Sequence, residues 1–414
     1  MSKRHVILFA FFALLVGCSS LPGGRSGTAA SVSQAAQPGA CPPCAACPVC
    51  PTGDKPITPP AFSRVFTPAA WGDLPGWAED RHAAVWPALL QSCRGLRNRQ
   101  GAEPWRALCR QAEGVDSQSD SAVRVFFETH LQPYAVSTAD TSAVDGMVTG
   151  YYEPLLRGSR QRDQRFAFPV HGVPDNLLTI ELGDLFPELK GKRVRGRVEG
   201  NKVVPYWARG EILAQQDRLP AKTLAWVDDP IELFFLQIQG SGRIRLPDGS
   251  LMRVNYADQN GHVYRSIGRL LVERGDLKLE EASMQGIQAW ARANPARLND
   301  LLNSNPSYVF FREMPATDDG PIGALGVPLT AERSIAIDPR AIPLGAPVFL
   351  ATTRPNSAQP LNRLVMAQDT GGAIRGAVRV DFFWGFGNEA GALAGRMKQS
   401  GRVWVLLPAG YPLD

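Results

Sequence analysis

Long apolar runs are what this 414-residue chain has least of. Beyond Val6–Val16 no stretch approaches the roughly 20 apolar residues that a spanning helix needs, so the body of the chain is not expected to cross a bilayer. A dense basic block is missing too. The 44 lysines and arginines are spread among 39 acidic residues, leaving a formal charge of +5. That pattern argues against nucleic acid as a partner. No segment repeats another, which sets aside solenoids and propellers. What is present is ordinary for a globular protein, 44% hydrophobic residues in a length that allows two domains of roughly 150 residues each.

The first residues speak to compartment. Lys3, Arg4 and His5 precede the apolar run Val6–Val16, as in the h-region of a secretory signal. The run ends in Leu15-Val16-Gly17-Cys18, which resembles the lipobox of bacterial lipoproteins. The resemblance implies cleavage before Cys18 and lipidation of that residue, each buried CH₂ adding about 0.8 kcal/mol of membrane affinity. An ordinary cleaved signal with an incidental cysteine is the alternative. Ser19, standing where an Asp would imply inner-membrane retention, points by the same analogy to an outer-membrane lipoprotein facing the periplasm.

From residue 18 to about 60 the chain is mainly Gly, Ser, Ala, Pro and Cys, the composition of a tether. Within it Cys41, Cys44, Cys47 and Cys50 have a spacing that could hold zinc or an iron–sulfur cluster. Disulfides within a linker are the preferred reading in an oxidising compartment. There Cys93 and Cys109 are also expected to pair, closing a ~15-residue loop worth ~3 kcal/mol. No metal or organic cofactor is implied.

Regular patterning begins near Phe62. Trp71, Trp77, Trp86, Leu89, Trp105, Leu108 and Phe126 suggest several helices, with the Cys93–Cys109 bridge stapling two of them. After Asp145 the pattern turns to short strands, starting with Met147–Glu153 and ended by Pro154. A helical hairpin interrupts them: Ser283 caps one helix and Asn294-Pro295 starts the next. Many short strands argue for barrels or sandwiches rather than a doubly wound sheet.

Near the C-terminus, Val378, Val380 and Phe382 alternate with Arg379, Asp381 and Phe383. On a strand these sets face opposite ways. An Asp between apolar neighbours is a candidate for a raised pKa, because desolvation disfavours the carboxylate. Cleaving a glycosidic bond needs such an acid to protonate the leaving oxygen. The same spacing also allows an Asp381–Arg379 salt bridge or a turn cap, and spacing alone leaves these readings level.

Four segments in consistent order, Gly150-Tyr151-Tyr152-Glu153-Pro154, Gln237-Ile238-Gln239-Gly240-Ser241-Gly242, Asn305–Phe311 and Gln368-Asp369-Thr370-Gly371-Gly372, resemble the membrane-bound lytic murein transglycosylase A family. The match runs from about Val148 to Pro408. The terminal segment is similar to the 3D domain, whose three aspartates match Asp338, Asp369 and Asp381. The resemblance implies Asp381 as general acid; Asp369 and the Thr370–Gly372 backbone are expected to support it by positioning it or stabilising developing charge, and Asp338 to matter mainly for the barrel. It also implies a mainly β fold, a double-psi β-barrel from both ends of the chain (61–154 and 312–414). A second β-rich domain (155–311) and a few helices are inserted, leaving a glycan-sized groove between the domains. The expected activity is cleavage of the β-1,4 bond between N-acetylmuramic acid and N-acetylglucosamine in peptidoglycan, leaving 1,6-anhydro ends. Expected partners are peptidoglycan glycan strands and, through the lipid anchor, the outer membrane; wall-synthesis or divisome proteins stay open.

Residues suited to hold sugar follow from their chemistry. Gln237 and Gln239, read as one face of a strand opposite Leu236 and Ile238, offer amides to hydroxyl and N-acetyl groups. Gly240 and Gly242 allow close backbone approach. Tyr151, Tyr152, Tyr256 and Trp384 could lay flat faces on pyranose rings. For any single aromatic, core burial is the commoner role, and at most one of Tyr151 and Tyr152 should face the groove. Glu153, Ser241, Asn260, Thr370, Gly371 and Gly372 complete the candidate contacts, although Glu153 beside Pro154 also suits a structural turn. Two competing functions stay open: a hydrolase pairing Asp381 with Asp369 or Glu153, and a non-catalytic wall-binding lipoprotein.

Overall fold

The computed structural model describes residues 64–138, 143–189 and 194–413. The expected signal peptide, Cys18 and the cysteine tetrad lie outside the described residues.

The chain opens with β1 (Arg64–Pro68), α1 (Trp86–Leu96), α2 (Glu103–Gln111), α3 (Asp120–His130), β2 (Leu131–Thr138) and β3 (Gly146–Glu153). The middle comprises β4 (Leu155–Ser159), β5 (Phe168–His171), β6 (Leu178–Ile180), β7 (Val194–Glu199), β8 (Lys202–Pro205), α4 (Arg209–Ala214), β9 (Thr223–Val227) and α5 (Pro230–Gln239). It continues through β10 (Ser241–Arg245), β11 (Leu251–Gln259), α6 (Ile267–Glu273), α7 (Met284–Ala293), α8 (Pro295–Asn303) and β12 (Val309–Met314). The last part is β13 (Ser334–Ile337), β14 (Pro347–Thr353), β15 (Pro360–Thr370), β16 (Arg379–Phe386), α9 (Gly387–Ala394) and β17 (Lys398–Pro408).

Six strands close into a barrel in the order β17-β14-β15-β13-β16-β3, because β3 pairs with β17 as well as with β16. The β13–β15 and β16–β3 pairings are parallel and the others antiparallel. Both ends of the chain therefore build one barrel, as the double-psi expectation requires. Strand alternation fills it: Val148, Ile335, Ile337, Val348, Leu350, Val380, Phe382 and Val405 are buried in a single cluster. Trp77, Trp86, Leu89 and Phe127 from the N-terminal segment join that cluster. A disulfide between Cys93 and Cys109 ties α1 to α2. Arg333, at the entry to β13, makes a bidentate pair with Asp80, 2.8 Å on each arm, with both side chains buried.

The inserted elements form a second sheet, β12-β11-β10-β4-β9-β5, over its own apolar cluster of Leu156, Val170, Leu236, Ile244 and Phe311. Helices α5 to α8 pack around Phe234, Leu271, Trp290 and Leu301. The helical hairpin follows its caps, with Ser283 Oγ accepting from Gly286 N and Pro295 opening α8.

One expected strand is a helix. Gln237 and Gln239 lie on α5, whose start is set by Asp229 accepting from Ile231 N and Glu232 N, with Pro230 at the first position. Gly240 ends it at φ 78°, the left-handed cap that favours glycine. Leu233–Leu236 is apolar on every face, so periodicity could not separate buried helix from buried strand. The caps could have.

Candidate active site

Barrel register lines up the chemistry. Asp369 on β15 sits opposite Ala336 on β13, Ala336 opposite Asp381 on β16, and Asp381 opposite Thr149 on β3. Lys398 on β17 continues the row opposite Thr149. Directly opposed residues share a face, so this row runs across the outside of the barrel. Strands lie about 4.8 Å apart, which puts the two aspartates roughly 10 Å apart at the backbone. Ala336 holds the register position between them.

A bulge creates the row. Between Ile335 and Ala336 the β13–β15 register skips Gln368. The skipped side chain is buried and satisfied, donating to Ala88 O and Ser92 Oγ and accepting from Ser334 Oγ. Without the bulge Gln368, not Asp369, would stand beside Ala336. Bulges near sites commonly re-aim a side chain in this way.

Around the carboxyls Tyr151, Leu329, Ala336, Ile374 and Phe383 form a buried apolar collar. Burial in this collar pushes the Asp381 carboxyl up, against the opposing pull of the Thr149 hydrogen bond and the Arg379 charge. Thr149 Oγ1 donates to Asp381 Oδ1 at 2.6 Å, and Arg379 Nη2 donates to Thr149 Oγ1 at 2.9 Å. Arg379 thus reaches Asp381 through Thr149. Asp369 is pushed up to about 6 by burial, offset in part by N–H donors of Thr370 and Ala324 (2.9 Å each) and raised again by the Asp381 charge. The Tyr151 hydroxyl is buried beside this pair without a hydrogen bond of ordinary geometry. Burial, then the two carboxylate charges, hold its pKa far up, so the phenol stays a neutral donor.

The third aspartate does structural work. Asp338 accepts from Arg340 at 2.9 and 2.6 Å and from Gly376 N at 3.1 Å, pinning the loop that ends in β16. Burial would raise its pKa, but Arg340 and the N–H donors outweigh that and hold it low. Thr370 and Gly371 border Asp369, with Gly371 O accepting from Ile374 N, while Gly372 is exposed with open space where a side chain would be.

Several sugar-contact expectations need correction. Trp384 is buried in the barrel core, its Nε1 toward Met397 Sδ at 3.2 Å, and it packs where Gly150 leaves no room for a Cβ. Its parity with Val380 and Phe382 is the signal that places it there. Tyr152 shares the parity of Val148 and is likewise in the core, with its hydroxyl toward Met284 Sδ. Glu153 is buried in an ion pair with Arg243 at 2.9 Å. Asn260 spends its amide on Trp207 O, Pro306 O and Tyr308 N. Gln237 is buried against Tyr308, while Gln239 Oε1 accepts from Tyr152 N at 3.1 Å. Gly242 is required by packing, since a Cβ would meet Leu236 Cδ1 at 2.4 Å. Ser241 is buried in β10.

Residues missed in the sequence are Thr149, Arg379 as a donor, and a set that stitches the loop before β13 to the inserted sheet. Arg243 donates to Asp319 O, Arg253 to Gly320 O, and Asn255 both donates to and accepts from the Ile322 backbone. That loop supplies the Ala324 N–H to Asp369. Among the described residues no group of three or more His, Cys, Asp or Glu could hold a metal ion, and no helix is long and apolar enough to cross a membrane.

Fold and site together define a mainly β protein whose closed barrel carries a desolvated carboxyl pair beside an inserted domain. The MltA specific insert domain profile matches residues 147–312 and the 3D domain profile residues 333–407. The crystal structure of MltA from Neisseria gonorrhoeae is 43% identical, with TM-score 0.74, over 84% of this chain and 94% of that one. That of Escherichia coli MltA with bound chitohexaose is 29% identical, with TM-score 0.58, over 84% and 94%. The membrane-bound lytic murein transglycosylase A of Escherichia coli is 35% identical over 269 residues, 63% of this chain and 65% of that protein. The match spans just under two thirds of the length of that curated relative. The chain belongs to the membrane-bound lytic murein transglycosylase A family.

Proposed function

We propose that this chain is a lytic transglycosylase of peptidoglycan that cleaves the bond between N-acetylmuramic acid and N-acetylglucosamine with Asp381 as its acid. The observation that carries the reading is the placement of Asp381: desolvated, held by Thr149, and separated from the second carboxyl, Asp369, by the single strand β13 at Ala336. The relative solved with chitohexaose lends a sugar polymer to the same fold.

Asp381, protonated, gives its proton to the glycosidic oxygen as the bond to the anomeric carbon breaks. The resulting carboxylate takes the proton of the muramic acid's own 6-hydroxyl, whose oxygen bonds to the anomeric carbon. A 1,6-anhydro ring forms, the acid is regenerated and no water is consumed. Intramolecular attack supplies the proximity that a second protein nucleophile would otherwise provide. Asp369 borders the reaction, and the neutral Tyr151 hydroxyl beside it can donate to an oxygen that gains charge. Asp338 supports the loop. The domain partition at about residues 154 and 311, lipidation at Cys18, the outer membrane as address, and glycan strands as partner belong to the same proposal. It is consistent with relatives named membrane-bound.

One observation favours a second reading. A carboxyl near pKa 6 at Asp369 could activate water, making the enzyme a hydrolase. Mass spectrometry of digested murein sacculi separates the two, since an anhydro end is one water lighter than a reducing end. Asp381→Asn should lower release by at least 10²-fold, the typical contribution of a general acid. Near-native release by a folded Asp381→Asn protein would remove Asp381 from the role.

A further inference from the structure

The two oxygens of Asp381 are not equivalent. Oδ1 accepts the Thr149 hydroxyl at 2.6 Å, and the Thr149 oxygen accepts Arg379 Nη2 at 2.9 Å. A guanidinium offers only donors and keeps its charge. Arg379 donates to Thr149, which leaves the Thr149 hydrogen to donate to Oδ1, the direction the geometry shows. Arg379 is itself held by Nη1 on Val380 O at 2.6 Å, so it does not swing away. A proton on Oδ1 would point at the threonine hydrogen and forfeit that bond, whereas a proton on Oδ2 leaves it intact.

We propose that Thr149 and Arg379 are positioning residues that confine the catalytic proton to Oδ2 of Asp381, so that one oxygen both delivers it and takes it back. The inference rests on the transglycosylase reading and deepens it. In that reaction the 1,6-bridge closes on the face of the sugar that the leaving oxygen vacates. Both proton transfers happen on one side of the ring, and a single fixed oxygen serves both. A carboxyl free to exchange its proton between oxygens would spend part of its time protonated on the wrong one. The groups facing Asp381 are Arg379 on its own strand, Thr149 and Tyr151 on β3, Asp369 across Ala336 and, next in the row beyond Thr149, Lys398. Thr149 is the one that touches Oδ1.

The test compares wild type, Thr149→Val, Thr149→Ser and Arg379→Met in anhydro-product release against pH, with the Asp381 carboxyl followed by carbon-13 NMR. Valine keeps the shape and removes the donor. Thr149→Val should lower kcat about tenfold or more, the scale of one lost hydrogen bond to a charged group, with KM unchanged. A carboxylate deprived of its donor is less stable, so the alkaline limb of the pH profile and the carboxyl titration should both move to higher pH. Arg379→Met should move the titration the same way, and Thr149→Ser should restore wild-type behaviour. A Thr149→Val enzyme with wild-type kcat and limb overturns the proposal, as does a Thr149→Ser enzyme no better than valine. Should valine disturb folding, Thr149→Ser and Arg379→Met carry the comparison. If wild type releases no anhydro product, the transglycosylase reading fails by itself, while an unmoved carboxyl titration in the variants overturns the Thr149–Arg379 hold.

Discussion

Replacing Asp369 with Asn should stabilise the protein at neutral pH. The Asp369 carboxyl moves from an ordinary value of 3.8 to about 6 on folding, chiefly because burial disfavours its charge. Below the unfolded value both states are protonated and nothing is lost. Between 3.8 and about 6 the folded chain binds more protons than the unfolded one, so stability falls as pH rises, and above that window the loss is complete. At about 1.4 kcal/mol per pH unit the loss is ~3 kcal/mol, and solvent at the rim of the half-buried side chain reduces it to between ~1 and 3 kcal/mol. An asparagine avoids it. Its Oδ1 can keep the N–H groups of Ala324 and Thr370, and its Nδ2 carries no charge to desolvate. Urea unfolding of both proteins at a series of pH values from 4 to 8 measures the difference. The variant should gain over wild type as pH rises and the two should converge in acid. Parallel curves, or a variant less stable at pH 8, would show that Asp369 is not ionised at a cost. The same substitution should lower anhydro-product release less than Asp381→Asn does if Asp369 supports rather than reacts, and equally if it activates water.

Two further perturbations bear on the frame and the anchor. Arg333→Met leaves the Asp80 carboxylate buried without its bidentate partner and should cost ~3–5 kcal/mol in urea unfolding, with part recovered by adding Asp80→Leu; a cost below about 1 kcal/mol would contradict the pair's role. Cys18→Ala should release the protein from membranes into the soluble periplasmic fraction with unchanged turnover on soluble glycan, and a variant still sedimenting with membranes in high salt would refute lipid anchoring.

What the sequence made legible was local. The alternation through Val378, Val380 and Phe382 placed Asp381 on the face opposite the core, and Ser283 with Pro295 announced the helical hairpin. Trp384 was readable by the same parity, but its chemistry as a sugar platform outweighed its position. The caps around α5 were equally present, masked by an apolar run that hid the period. Thr149 was different in kind. Nothing within its own segment marks it, because its partner is set by a pairing between β3 and β16. The same holds for Asn255, whose amide matters only once the loop around Ile322 is folded against it. Register across distant strands is not written in any window of neighbouring residues.

Closure of the barrel has a consequence for how the chain is made. Thr149 and Asp381 are 232 residues apart, and β3 finds both its ring neighbours only when β16 and β17 exist. Contacts of such separation form late and slowly compared with local ones. A chain emerging N-terminus first therefore carries half of the constellation for most of its synthesis and the other half only at the end. A prematurely truncated product has no barrel, no desolvated carboxyl and no Thr149–Asp381 bond. The order of the strands thus acts as an assembly interlock, keeping the carboxyl pair from forming until the last strand has been delivered.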